Sequence, residues 1–359
     1  MPRQHVQRRQ QLAERLRERD IGAALVTAGV NVRYLSGFTG SAGVLVVWAD
    51  GSAEIATDSR YALQVAVECP DVAVQVTRGA TVALAARIAD HRVDVAGYED
   101  RHLAVAGWRE LVGVGHLIEW RPLESVVDGL RRVKDPGELE LLREACAATD
   151  AALGEVLPRL RAGVTERQVA RWLDDGLRDR SEGPGFATIV AAGTNGAIPH
   201  HQPTDRPLAA GDLVTMDFGA RVGGYHADMT RTVAIGHSTG WQREIYDVVR
   251  DAQAKGVAAL TPGAAASDVD AVARTVIDEA GFGDRFGHGL GHGVGLQIHE
   301  APFLGATSAD KVDASVPVTV EPGIYLPDQG GVRIEDTVVV HVDRVECLTT
   351  TTRDLLVVG

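Results

Sequence analysis

The chain carries one series of patterns twice: two helical segments, then a pair of apolar strand runs that bear carboxylates. The first copy has a helix over 136–160. Thr165-Glu166-Arg167-Gln168 then has the spacing of a capping box opening a second helix, and strands follow to about Val233. The second copy has a helix over 240–260, a helix with Val269, Val272, Ala273, Val276 and Ile277 on one face, and strands over 317–342. Gly163 and Gly263 punctuate the corresponding helix connections. Such a repeat predicts two equivalent hairpins facing each other across one cleft.

Ahead of the repeat, residues 7–128 alternate short apolar runs (23–26, 44–48, 93–97) with helical patches (7–19, 81–91), the pattern of a small α/β domain. At Lys134-Asp135-Pro136-Gly137-Glu138, Asp135 can cap a helix whose first turn holds Pro136. The expected division of the 359 residues is therefore two domains, 1–128 and 129–359. Lys and Arg total 36 against 49 Asp and Glu, a formal charge of -13, which argues against nucleic acid or an anionic membrane as partner. Cys69, Cys146 and Cys347 are odd in number and form no paired framework, which fits a reducing compartment. Polar residues interrupt the amino-terminal run where a signal peptide needs its apolar core, and no stretch approaches the ~18 apolar residues of a membrane span. The expected location is cytoplasmic.

In the first hairpin, Gly223-Gly224 between strand patterns signals a tight turn. With these glycines central, Gly219 falls opposite Asp228, and Asp217 shares that face, so the two carboxylates are diagonal neighbours within reach of a common ion. A one-residue slip would separate them, and solvated surface aspartates are the bland alternative. In the second hairpin, Glu321 ends an apolar run and Pro322 stops the strand, while Glu335 alternates with apolar Val332, Ile334 and Val338. A buried carboxylate needs a cation or a proton, and a salt bridge to Arg333 or Arg231 is the competing account. Between the hairpins, residues 286–300 hold three histidines and five glycines; glycine lets the backbone approach an ion or substrate, and histidine is a common metal ligand. The alternating glycines match neither phosphate-loop motif, and His299-Glu300 lacks the second histidine of HExxH. Gly236-His237-Ser238-Thr239-Gly240 matches a serine nucleophile elbow, but Thr239 to Gln242 also matches a helix-opening capping box. Asp217, Asp228, His292, Glu321 and Glu335 together suit two divalent ions, whose identity the oxygen-rich set leaves open.

These segments resemble the pita-bread metallopeptidases, specifically the proline peptidases Xaa-Pro aminopeptidase (aminopeptidase P) and Xaa-Pro dipeptidase (prolidase). The likeness spans nearly the whole chain and is carried by MDFGA at Asp217, HADMTRT at Asp228, GHGLGHGVGLQIHE around His292, TVEPGIY at Glu321 and VRIED at Glu335. It implies an α+β fold: a pita-bread domain with pseudo-two-fold duplication behind a smaller creatinase-like α/β domain. It also implies two divalent ions, Mn²⁺ foremost with Co²⁺, Zn²⁺ or Fe²⁺ as alternatives. Asp217 would hold one ion, His292 and Glu321 the other, and Asp228 and Glu335 would bridge both. Glu321 would also move a proton, His200 and His299 would contact substrate, Arg333 would support that side of the site, and Tyr325 would lie nearby. No role is implied for His201 or His288. A homodimer acting on proline-containing peptides is expected. NVRYLSGFTGSAG from Asn31 and TDSRY from Thr57 look like the amino-terminal domain of aminopeptidase P relatives. The resemblance therefore favours an Xaa-Pro aminopeptidase, with Xaa-Pro dipeptidase as the alternative. A metal-free creatinase-like hydrolase or binding protein is more remote, since the ligand set is complete.

Overall fold

Helices of the repeat begin where side chains can take the free amides of the first turn. In the computed structural model, which describes residues 2–114 and 117–359, Asp135 accepts the Glu138 N–H at 2.9 Å, and the Glu138 carboxylate accepts the Asp135 N–H at 2.9 Å. Helix Pro136–Val156 follows. It stops short of residue 160 because Pro158 has no N–H to continue the ladder, and the chain finishes in the tight turn Leu157–Arg159. Thr165 and Gln168 make the same reciprocal bonds ahead of Glu166–Arg178. In the second copy the Gln242 side chain accepts the Thr239 N–H at 2.8 Å, and helices Gly240–Ala259 and Ala266–Glu279 follow. Gly163 and Gly263, at φ 89° and 86°, donate to the Leu208 and Val312 carbonyls, so the two helix connections are built alike.

Each helix pair covers its own sheet. The first sheet runs Val357–Val358, Met229–Ile235, Leu213–Phe218, Ile189–Ala192; the second runs Glu300–Leu304, Gly291–Gly293, Val316–Val320, Asp336–Val340, Val345–Cys347. Leu142, Cys146 and Leu173 pack with Met216 in one apolar core, and Tyr246, Val249 and Ile277 pack with Val318 and Val338 in another. Truncating a buried leucine such as Leu142 to alanine costs roughly 2–5 kcal/mol. Two cores from one repeated order are the pseudo-two-fold α+β architecture expected of the pita-bread fold.

The chain divides into two compact units, Met1–Arg131 and Arg132–Gly359. The first has a mixed six-stranded sheet in the order Ala73–Val76, Ala53–Thr57, Gly43–Trp48, Ala23–Val26, Val95–Tyr98, Glu119–Pro122. Its central strand Ala23–Val26 is antiparallel to Gly43–Trp48 and parallel to Val95–Tyr98. Among the described residues, no helix is long and apolar enough to cross a membrane, and the three cysteines are free thiols.

The two hairpins differ at their tips. Gly223 and Gly224, at φ 56° and 84°, form the two-residue turn that their sequence signals, since both positions lie in the left-handed region. The register from Tyr225↔Val222 continues into Thr230↔Asp217 with no slip. Gly330-Gly331 is not a turn. The chain reverses at 327–329, and the two glycines lie in strand Gly330–Arg333, where a Cβ on Gly331 would stand 2.3 Å from the Gly196 carbonyl oxygen. The pairs Val320↔Asp336 and Gly323↔Arg333 bracket Glu321 and Glu335, which fall opposite each other.

Candidate metal centre

The hairpin registers deliver carboxylates from four strand ends to one cavity of about 530 Å³. Asp217, Asp228, His292, Glu321, Glu335, Arg333, His200 and His299 all line it. Asp228, His292 and Glu335 are buried and offer one ligand atom each within 4.8 Å of one another. Asp217 stands outside that tight group and is held by Arg333, whose guanidinium donates to Asp217 Oδ2 at 2.6 Å. Arg333 is thus committed to Asp217, and Arg231 donates to the Asp336 side chain at 2.7 Å. The salt-bridge account of Glu335 is not realised; its Oε2 accepts the Thr230 hydroxyl at 2.6 Å.

Electrostatics in this cavity call for a cation. Burial, followed by the charges of Glu335 and Asp217, pushes the Asp228 carboxyl well above its ordinary range. Burial, then Glu321 and Asp217, does the same to Glu335. Glu321 is pushed up to about 8, mainly by burial and against the opposing pull of Arg333. Burial lowers His292 to about 4, so its imidazole is neutral. Its Nδ1 lies 3.1 Å from the Gly293 carbonyl and donates there, leaving the Nε2 lone pair 3.4 Å from Glu321 Oε1 and 3.7 Å from Asp228 Oδ2. Among the described residues the buried Asp217 Oδ1 has no hydrogen-bond partner, a costly arrangement for a bare carboxylate and a natural one for a metal ligand. Converging oxygens, one orphaned oxygen and one imidazole lone pair fit divalent-ion coordination.

Two orienting groups were not singled out in the sequence: Thr230, whose hydroxyl holds Glu335, and Thr319, whose hydroxyl donates to Glu321 Oε1 at 3.3 Å and accepts the His292 N–H at 3.1 Å. Their signal was available, because each lies two residues along a strand from a carboxylate and so shares its face, Thr230 after Asp228 and Thr319 before Glu321. Tyr325 lies beside Arg333, accepting from its guanidinium at 3.0 Å, and is 2.9 Å from His288 Nε2. His201 turns away from the cavity. Its Nε2 is 3.0 Å from Glu166, whose carboxylate also accepts from Thr204, Asn195 and the Ala192 N–H. Burial opposes the Glu166 charge, but these bonds outweigh it and hold its pKa below the usual value.

The expectation that glycines 287–295 let the backbone approach an ion or substrate is corrected at its centre. A Cβ on Gly291 would stand 2.0 Å from the Thr319 carbonyl oxygen, and one on Gly293 2.4 Å from that of Ala301. These two glycines let neighbouring strands close on the one that carries His292. Ser238 accepts from exposed Arg243 at 2.9 Å at the mouth of helix Gly240–Ala259. Ser238→Ala is therefore expected to leave turnover within about twofold; a loss above ~100-fold in a folded variant would restore the nucleophile account, since nucleophile loss costs orders of magnitude.

Comparison with known proteins agrees with this architecture. Residues 140–341 match the model of metallopeptidase family M24, and residues 8–133 match that of the creatinase/prolidase N-terminal domain. The Xaa-Pro dipeptidase of Pyrococcus furiosus is 40% identical over 239 residues, 66% of this chain and 69% of that protein. The solved structure of an Xaa-Pro dipeptidase from Bacillus anthracis superposes with a TM-score of 0.94 at 34% identity, covering 99% of this chain and 100% of that one. The X-Pro aminopeptidase structure from Thermotoga maritima MSB8 gives 0.92 at 33% identity, covering 98% and 99%. Both the family model, which covers more than half of the sequence, and these relatives place the chain in one group: it belongs to metallopeptidase family M24 and carries a creatinase/prolidase N-terminal domain ahead of its peptidase domain.

Proposed function

We propose that this peptidase is an Xaa-Pro dipeptidase working with two divalent ions, Mn²⁺ foremost. The convergence of Asp217, Asp228, His292, Glu321 and Glu335 on one cavity carries the metal reading. Similarity to Xaa-Pro dipeptidases, in sequence and across whole solved chains, supports the substrate class. The likeness of FTGSAG and TDSRY to aminopeptidase P relatives favoured an aminopeptidase, but the similar proteins include several dipeptidases. Ser41 and Tyr61 hydroxyls share a 2.6 Å bond, Thr39 donates to Glu68, and Asp58 accepts the Arg60 N–H at 2.9 Å. FTGSAG and TDSRY thus bond to each other and cap a turn within that unit, and such bonds do not encode substrate length. The Thermotoga structure keeps the aminopeptidase as the second reading.

In this scheme Asp217 would hold one ion, His292 and Glu321 the other, and Asp228 and Glu335 would serve both. When bound, the ions supply an activated water and polarise the scissile carbonyl. Arg333 fixes Asp217 through Oδ2 and leaves Oδ1 for coordination. Glu321 takes the proton from the attacking water at its carboxylate oxygen. His299 and His200, at the cavity wall, donate to the carbonyl oxygen as it gains negative charge. Proline's nitrogen has no N–H in the peptide and must gain a proton to leave, so the proton held by Glu321 has a destination.

The test is kcat/KM for Ala-Pro against Ala-Pro-Ala. A dipeptidase is expected to favour Ala-Pro by ~10-fold or more, about 1.4 kcal/mol of transition-state discrimination. Preference for the tripeptide would install the aminopeptidase and leave the metal chemistry untouched.

A further inference from the structure

A buried ion pair lies beneath the loop that carries His299. Lys134 and Glu300 are in contact through Nζ and Oε1, with side chains only 1% and 8% exposed. Lys134 is anchored by its own N–H to the Ser315 carbonyl at 2.9 Å and by Nζ to the Arg132 carbonyl at 3.3 Å. Glu300 opens the strand that follows His299 and pairs with Gly293, closing the loop 294–299 at its base. The loop rests directly on the pair: a Cβ on Gly295 would stand 2.5 Å from Glu300 Oε1 and 3.0 Å from Lys134 Cε. From above, the His226 N–H donates to the Gly295 carbonyl at 2.9 Å. Thus clamped, the loop presents His299 edge-on to His292, with ring centroids 4.3 Å apart and planes at 78°.

A buried lysine and glutamate are a poor way to gain stability, since desolvation consumes most of their attraction and apolar residues of similar size often serve as well. Their directional contact instead fixes where a backbone can lie. We propose that Lys134 and Glu300 are positioning residues for His299: their ion pair is the floor that holds the 294–299 loop, and through it the His299 ring, in register with the carboxylate cluster. This rests on the substrate-side role proposed above for His299. Misplacing a catalytic group by about 1 Å can cost ~100-fold, so a loosened floor is expected to lower turnover by about tenfold.

The test uses Lys134→Met combined with Glu300→Gln, which keeps side-chain length to within one atom and leaves no lone buried charge. It is compared with wild type, with His299→Ala and with the triple variant, on whichever of Ala-Pro and Ala-Pro-Ala wild type cleaves faster. Expected are unchanged metal content, kcat down about tenfold with KM within about twofold, and less than a twofold further effect in the His299→Ala background, because coupled residues are non-additive. Hydrogen exchange of the 294–299 amides, measured on metal-free protein, is expected to quicken while helix Gly240–Ala259 is unaffected. Unchanged kcat, unchanged exchange, or the same tenfold loss with and without His299 would overturn the proposal. A neutral His299→Ala in the wild-type background would strike the role given to His299 itself, and the proposal with it. A tripeptide preference alone strikes only the dipeptidase reading.

Discussion

Stripped of divalent ions, the protein is expected to lose hydrolysis of Ala-Pro completely and to regain it with Mn²⁺ or Co²⁺. The orphaned Asp217 Oδ1 and the neutral His292 facing Glu321 and Asp228 leave the cavity without the charge its ligands require. Full turnover in protein shown by elemental analysis to be metal-free would refute the mechanism. Stability should report the same cation through pH. Without it, burial and neighbouring carboxylates raise Asp228 and Glu335, and burial raises Glu321 to about 8. The unfolded chain releases these protons near pH ~4. Their contribution to the metal-free fold is therefore complete below about pH 4 and is lost as pH rises, for Glu321 through about 8. A bound ion removes that loss, and binding only the native state adds about 2.7 kcal/mol at a hundredfold excess over Kd. His292, lowered to about 4 in the fold, is neutral in the loaded and the stripped native protein alike and drops out of the difference between them. The Tm gap between loaded and stripped protein should therefore widen from pH 5 to pH 8; a gap that narrows contradicts the assignment.

Glu335→Ala is expected to empty the centre, whereas Asp217→Ala should remove about one ion, since in a two-metal site a bridging carboxylate serves both. Glu335 lies in the tight group with Asp228 and His292, whereas Asp217 lies outside it and is tethered to Arg333. The activity loss for Glu335→Ala should exceed the ~100-fold upper range seen when a ligand merely loses its hydrogen-bond partner. Thr230→Val supplies that milder case, since Thr230 holds Glu335 without reaching the cavity. Metal per chain, measured in variants whose circular dichroism matches wild type, decides it. Equal loss of one ion from both variants would contradict the roles. Glu335→Ala also relieves repulsion in the stripped cavity, so its metal-free fold should be no less stable than that of wild type.

Helix starts at Asp135 and Thr165, the paired glycine connections and the Gly223-Gly224 turn were all legible along the chain, because capping, periodicity and left-handed φ are rules of neighbouring residues. From that turn the register of Asp217 and Asp228 followed, since side chains alternate faces with a period of two. The second hairpin escaped the same logic: Gly330-Gly331 resembles a turn, but Gly331 serves a close approach to Gly196 in the tight turn Gly193–Ala197, distant in sequence. The glycines around His292 likewise answer to Thr319 and Ala301 on adjacent strands.

Local pattern thus accounts for the elements, the doubled architecture and which residue types converge. Only the packed chain decides that Arg333 is committed to Asp217, that His201 faces Glu166 while its neighbour His200 lines the cavity, and that Lys134 meets Glu300 across 166 residues of sequence. Periodicity constrains a side chain's face but not its partner. Partners come from how sheets, loops and helices stack, and burial makes each pairing obligatory because a polar group shut away from water must be satisfied by whatever the fold brings beside it.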